Sequence, residues 1–63
     1  MYQLELYGNG GAQGRHLFDS TTACYRYLNG VGPNVYVKIT YGQEAMDGVF
    51  EAEEVVATFW TED

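Results

Sequence analysis

A chain of 63 residues with one cysteine cannot form an internal disulfide or complete a cysteine-based zinc site. Its formal net charge of -6 disfavours binding to nucleic acid or to anionic membranes and favours basic partners. Because 46% of its residues are hydrophobic, the chain is too apolar to be a disordered acidic tail, and we expect one folded domain spanning residues 1–63.

The amino-terminal stretch MYQLELYG predicts a β-strand, because Tyr2, Leu4 and Leu6 alternate with polar residues. The stretch is not basic and no long apolar run follows it, so it lacks the pattern of a signal peptide. No segment of the sequence approaches the ~20 apolar residues of a membrane span. We therefore expect a soluble, cytoplasmic protein.

The stretch GNGGAQG, residues 8–14, raises the question of a phosphate-binding loop. A dinucleotide-binding loop requires glycine at its sixth position, where this stretch has Gln13. A P-loop ends in Gly-Lys-Ser/Thr, whereas residues 14–16 read GRH. The Asn9-Gly10 pair is instead typical of a type I′ hairpin turn. We predict a hairpin connection and no cofactor site.

The stretch DSTTACYRYLNG predicts a helix over about residues 20–29. Asp19 or Ser20 can cap its amino terminus, and Asn-Gly at its end is a typical stop signal. Apolar side chains recur inside it at helical spacing, at Ala23, Tyr27 and Leu28. We expect Tyr27 in the core, together with Cys24 as a small buried residue.

A second strand is predicted over residues 35–41, where β-branched residues dominate and apolar positions alternate with others. Its main apolar face is formed by Val35, Val37, Ile39 and Tyr41. Tyr36 lies off the phase of that face, as Tyr7 does in the first strand, so we expect both to be exposed. Because tyrosine beside acids is typical of protein-binding surfaces, Tyr36 is a candidate contact residue.

The carboxy-terminal run VFEAEEVVATFWTED is ambiguous, because its apolar residues recur at helical spacing although Val, Thr, Phe and Trp favour strands. An internal similarity favours a helix. YGNGGAQG at 7–14 and YGQEAMDG at 41–48 share Tyr, Gly, a carboxamide and a final Gly, and each precedes an apolar pair and an acid. We interpret residues 1–32 and 33–63 as half-repeats, each with two strands and a helix. The predicted fold is α+β, a small antiparallel sheet of three to four strands with one or two helices on one face.

Few side chains in the sequence are suited to catalysis. His16 is the only histidine, and we predict a surface or capping residue, since no strand or helix period brings it to Cys24. The acids after residue 40 lack the alternating spacing of a calcium-binding loop. We therefore expect no catalytic residue, no metal site, no cofactor and no enzymatic activity.

The acidic residues are concentrated in the last third of the chain, where no Lys or Arg follows residue 40. The candidate protein-binding carboxylates are Glu44, Asp47, Glu51, Glu53 and Glu54. On a helix Glu51 and Glu54 would share a face, whereas on a strand Glu51 and Glu53 would lie about 7 Å apart on one side. Either arrangement predicts a local group of carboxylates, kept for a cationic partner or for solubility.

The first functional hypothesis is a small acidic binding protein that occupies a basic, nucleic-acid-binding surface of another protein. Inhibitors encoded by viruses or mobile elements often combine this size and charge, which is an argument by analogy. The alternative is a homo-oligomeric structural or assembly subunit, such as a homodimer, whose charge serves only solubility. We expect no direct contact with nucleic acid or with a membrane.

Overall fold

The computed structural model describes residues 1–8 and 11–61. In these residues the elements follow the order β1 (Tyr2–Gly8), β2 (Gly11–Phe18), α1 (Thr21–Leu28), β3 (Tyr36–Glu44) and β4 (Phe50–Trp60). The strands form one sheet in the order β2-β1-β3-β4, and every neighbouring pair is antiparallel. The predicted α+β fold, a small antiparallel sheet of three to four strands with one or two helices, is confirmed, and the described residues form four strands and one helix.

The two predicted strands are the two central strands of the sheet. β1 buries Leu4 and Leu6, and β3 buries Val37 and Ile39, as their alternating patterns predict. β1 pairs with β2 up to Gly8 opposite Gly11, so the two strands form a hairpin. The Asn9-Gly10 turn prediction falls on residues outside the described part of the chain.

Helix α1 agrees with the predicted helix over about 20–29, and Ser20 is its N-cap. The Ser20 hydroxyl accepts a hydrogen bond from the Ala23 backbone N–H at 3.2 Å. Cys24 is fully buried against the sheet, which confirms the prediction of a small core residue. The prediction that Tyr27 lies in the core is wrong, because the residue is 40% exposed to solvent.

The N-cap leads to the first testable prediction. Substitution Ser20→Ala should lower the free energy of unfolding by about 1 kcal/mol, because the Ala23 N–H loses its side-chain acceptor in a helix of only eight residues. In a domain of this size the melting temperature should fall by about 4–8 °C, measured by circular dichroism. The control is Thr22→Ala at an exposed helix position, which should leave the melting temperature unchanged or slightly higher. Equal effects of the two substitutions would contradict the capping role.

The prediction of a second helix over residues 51–60 is wrong, because the segment forms the edge strand β4. Its register against β3 shifts twice, leaving Glu53 and Val56 as extra residues between paired neighbours. These two β-bulges break the period of two that would have identified a strand, and the apolar residues then recur at intervals close to those of a helix. Strand propensity and pairing with β3 decide the outcome.

The second half of the chain therefore contains two strands without the expected helix. Each of the similar stretches begins at the end of a strand that pairs antiparallel with the next strand along the chain, β1 for residues 7–8 and β3 for residues 41–44. A common origin of the halves 1–32 and 33–63 stays a prediction.

The core lies on the face of the sheet that α1 covers. Its buried apolar residues are Leu4, Leu6, Cys24, Val35, Val37 and Ile39. Half-buried Phe18, Leu28 and Phe59 pack around them, and the ring of Tyr25 on α1 stacks on Phe59 at 6.1 Å. No element of the described residues covers the opposite face, which we call the open face.

Candidate interaction site

All five candidate carboxylates lie on the β3–β4 hairpin and are exposed to solvent. Glu44 ends β3, Asp47 lies in the connection, and β4 carries the other three, Glu51, Glu53 and Glu54. We call these five residues the acidic hairpin. In the sheet formed by the described residues β4 is an edge strand, so another strand, β3, borders it on one side only.

The tip of the hairpin has a defined turn. The Ala45 N–H donates to the Val49 carbonyl at 2.8 Å, and the Gly48 N–H donates to the Ala45 carbonyl at 2.9 Å. Gly48 has a positive φ of 84°, which glycine adopts without strain. The Asp47 carboxylate accepts the Val49 N–H at 3.1 Å and is thereby held in position at the tip.

The bulge at Glu53 changes which carboxylates share a face. Glu51 lies opposite Gln43 and Glu54 lies opposite Tyr41, which are two residues apart on β3. Glu51 and Glu54 therefore project from the same face, about 7 Å apart. In a regular strand Glu51 would share a face with Glu53 instead. The structure has the grouping of Glu51 with Glu54 that a helix would give, but a bulge in a strand produces it.

Gly42 allows β4 to approach β3 closely beside this bulge. A Cβ atom at Gly42 would lie 2.1 Å from the Glu51 carbonyl oxygen and 2.7 Å from Cζ of Phe50. The Gly42 N–H also donates to the Met1 carbonyl on the other side, at 3.0 Å. Because glycine has no Cβ atom, the β4 backbone and the carboxylates that it carries can lie this close to β3.

The carboxylates form a dispersed surface. Among residues 1–8 and 11–61, no group of three or more His, Cys, Asp or Glu side chains converges in a way that could hold a metal ion. Carboxylates spread along an edge are suited to several separate ion pairs with a basic surface.

Tyr36 is at a distance from the acidic hairpin, at the opposite end of β3. Glu44 is eight positions further along β3, which corresponds to about 26 Å along the strand. Its ring lies in register with Tyr7 on β1 and Trp60 on β4, at centroid distances of 6.4 and 5.2 Å. The structure therefore places Tyr36 in a cross-strand row of three aromatic residues on the open face, separate from the acids.

The open face carries a shallow groove of about 450 Å³ beside this aromatic row. The groove is lined by Tyr7, Tyr36, Lys38, Val55 and Thr58. Beside it, the Tyr7 hydroxyl donates to the Glu5 carboxylate, and this hydrogen bond raises the pKa of Tyr7 above its ordinary value. The off-phase positions of Tyr7 and Tyr36 indicated part of this surface in the sequence. Trp60 and Val55 were missed, because a helical interpretation of β4 assigns them to an apolar helix face.

His16 and Cys24 do not form a nucleophile pair in the structure. His16 Nε2 lies 3.0 Å from the Tyr27 hydroxyl oxygen in a hydrogen bond, and its ring also packs near Phe18. Burial raises the pKa of the Cys24 thiol, which disfavours the reactive thiolate. Both residues act in packing between α1 and the sheet.

Within the described segments, no helix is long and apolar enough to cross a membrane. Comparison with known proteins finds no matching family model, no curated protein of significant sequence similarity and no solved structure of significant similarity. The function must therefore be argued from the acidic hairpin and the open face themselves.

Proposed function

We propose that this chain is an acidic, non-enzymatic binding protein whose acidic hairpin occupies a basic surface of another protein. The observation that supports it most is the collection of five exposed carboxylates on one hairpin, in a part of the sequence that has no Lys or Arg. The partner surface is one that otherwise holds nucleic acid, because such surfaces present rows of Lys and Arg.

The shape of the hairpin is consistent with this proposal. The carboxylates lie on an edge strand and a turn, where they can enter a groove on a partner. The groove on the open face is lined without a carboxylate, a histidine or a cysteine, so it offers no pair of acids for hydrolytic chemistry. An arrangement of this kind favours binding over catalysis.

The test begins with affinity capture from the native cell lysate at ~0.1 M and ~1 M salt, between which the Debye length falls from about 10 to 3 Å. The captured basic protein is then purified and titrated with the wild-type chain and with the Glu51→Gln/Glu53→Gln/Glu54→Gln variant. We expect the triple variant to bind about ten- to a hundredfold more weakly, because three carboxylates of the acidic hairpin are replaced by neutral amides.

The matched control is Asp19→Asn, which neutralises an exposed carboxylate outside the acidic hairpin. If position matters, Asp19→Asn should bind like wild type. If only net charge matters, it should lose about one third of the free energy that the triple variant loses. Unchanged binding of the triple variant would remove the charge-based proposal.

A second candidate function, the homo-oligomeric structural or assembly subunit, is favoured by a different observation. The open face exposes Trp60 and Val55, 62% and 52% accessible, on the side of the sheet that α1 does not cover. This surface does not depend on the acidic hairpin and can be tested independently.

A further inference from the structure

In the part of the chain that the structure describes, the open face carries exposed apolar side chains, including Val55 and Trp60, that no other element covers. The sheet and α1 form the two packed layers of the domain, and this helix of eight residues covers one face of the four-stranded sheet while the other face stays open. In strand register, the aromatic row Tyr7, Tyr36 and Trp60 is followed toward the acidic hairpin by Lys38 and Thr58, and then by Val55. Exposed aromatic and β-branched residues in adjacent rows are typical of a surface that packs against another sheet.

The charges on the open face differ from those of the whole molecule. Glu5 lies directly opposite Arg15 on β2 and directly opposite Lys38 on β3. Two of the three basic residues of a chain with net charge -6 are therefore on this face, on either side of one carboxylate. The face is slightly positive, whereas the acidic hairpin carries the negative charge, so two open faces can meet without bringing the acids together.

The area of the face is sufficient for a stable pair. β4 has 11 residues and is about 36 Å long, and three strand spacings place the backbones of β2 and β4 about 14 Å apart. Nearly the whole open face, with the side chains that extend beyond its edges, would be buried to reach the roughly 800 Å² per partner of a standard interface. Only six of the described residues form the buried apolar core, so further apolar burial on the open face would add to stability.

We propose that a second copy of this chain docks on the open face, forming a two-fold symmetric dimer of sheets packed face to face about 10 Å apart. The two-fold axis lies in the plane of the interface and runs across the strands. This axis places the two acidic hairpins at opposite ends of the dimer. An axis along the strands would place both hairpins at the same end, where their negative charges repel each other.

Salt distinguishes this inference from the proposed function. Each chain carries a net charge of -6, so screening should strengthen dimerisation between ~0.1 M and ~1 M salt. Binding of the acidic hairpin to a basic partner should weaken over the same range. Dimerisation through the open face and partner binding by the acidic hairpin can therefore be contradicted independently of each other.

The test uses sedimentation equilibrium of the full chain over about two decades of micromolar concentration, together with the fluorescence of Trp60, the only tryptophan. We expect the mass to rise from one chain to two, and iodide quenching of Trp60 to decrease in parallel. Substitution Val55→Lys should weaken dimerisation about tenfold or more, because it replaces an apolar contact with a second positive charge beside Lys38 in the groove. The matched control Val49→Lys, at a 59% exposed position in the hairpin turn, should dimerise like wild type.

Several outcomes would overturn the dimer. One is the mass of a single chain at every concentration, and another is a Val55→Lys variant that dimerises as well as wild type. Mass growth beyond two chains would contradict the closed two-fold arrangement. A single-chain mass with Trp60 protected only when the captured basic protein is added would assign the open face to that partner instead. The quenching measurement on the wild-type chain needs no variant, so a misfolded Val55→Lys protein cannot mask the result.

Discussion

Substitution Gly42→Ala should remove most of the stability of the fold. The new Cβ would lie 2.1 Å from the Glu51 carbonyl oxygen, and this contact is with backbone that cannot move aside as a side chain would. β4 must therefore separate from β3 locally or lose its pairing. Overpacking of this kind costs about 1–3 kcal/mol and occasionally more, and we expect about 3 kcal/mol here. The stability of a domain this small rarely exceeds about 3–5 kcal/mol, so the variant should be partly unfolded at 25 °C.

Urea denaturation followed by circular dichroism measures this effect. Substitution Gly32→Ala is the control, because a Cβ at that position has no other atom within 4 Å. The control should have the wild-type midpoint or a slightly higher one, because alanine lowers the entropy of the unfolded chain. Wild-type stability of Gly42→Ala would contradict the close approach of β3 and β4, and with it the bulged register that groups Glu51 with Glu54.

Substitution Leu4→Ala should have an effect of similar size through the core. Leu4 is fully buried on β1, opposite Ile39 of β3 in the central strand pair. Truncation of a buried leucine costs about 2–5 kcal/mol, since it removes apolar contact and leaves a cavity. We expect the variant to unfold cooperatively at a much lower urea concentration, or to be unfolded without urea.

Met46→Ala is the control for Leu4→Ala. Met46 is fully exposed in the turn of the β3–β4 hairpin and should contribute almost nothing to stability. If Leu4→Ala shifted the urea midpoint no more than Met46→Ala does, β1 would not be a central strand of the core.

The sequence predicts the central strands and the helix well, because each has a regular local pattern. Leu4 and Leu6 alternate with polar neighbours, and Ser20 stands before a run with helical spacing, so local chemistry is sufficient there. β4 could not be predicted by the same argument. The bulges at Glu53 and Val56 are determined by pairing with β3, a long-range contact that leaves no regular period in the sequence.

The same limit applies to the candidate site. Composition alone identifies the acidic residues as a group, and the structure places them on one hairpin. Which carboxylates share a face depends on the bulge, and so could not be read from spacing alone. The sequence grouped Tyr36 with the acids because both looked exposed, yet strand register places it with Tyr7 and Trp60 about 26 Å from Glu44. The pattern predicts the face of the sheet, but Tyr7 and Tyr36 are half-buried and not exposed as expected, because they pack against each other across the strands. Such neighbours require the topology.

Competition for the captured basic partner tests the acidic hairpin most directly. A fluorescent oligonucleotide is first bound to that partner, and its anisotropy is followed as the wild-type chain or the Glu51→Gln/Glu53→Gln/Glu54→Gln variant is added. We expect the wild-type chain to displace the oligonucleotide, and about ten- to a hundredfold more of the triple variant to be needed for the same displacement. Displacement by both proteins at equal concentrations, or stable binding of the wild-type chain while the oligonucleotide stays bound, would contradict the proposed function.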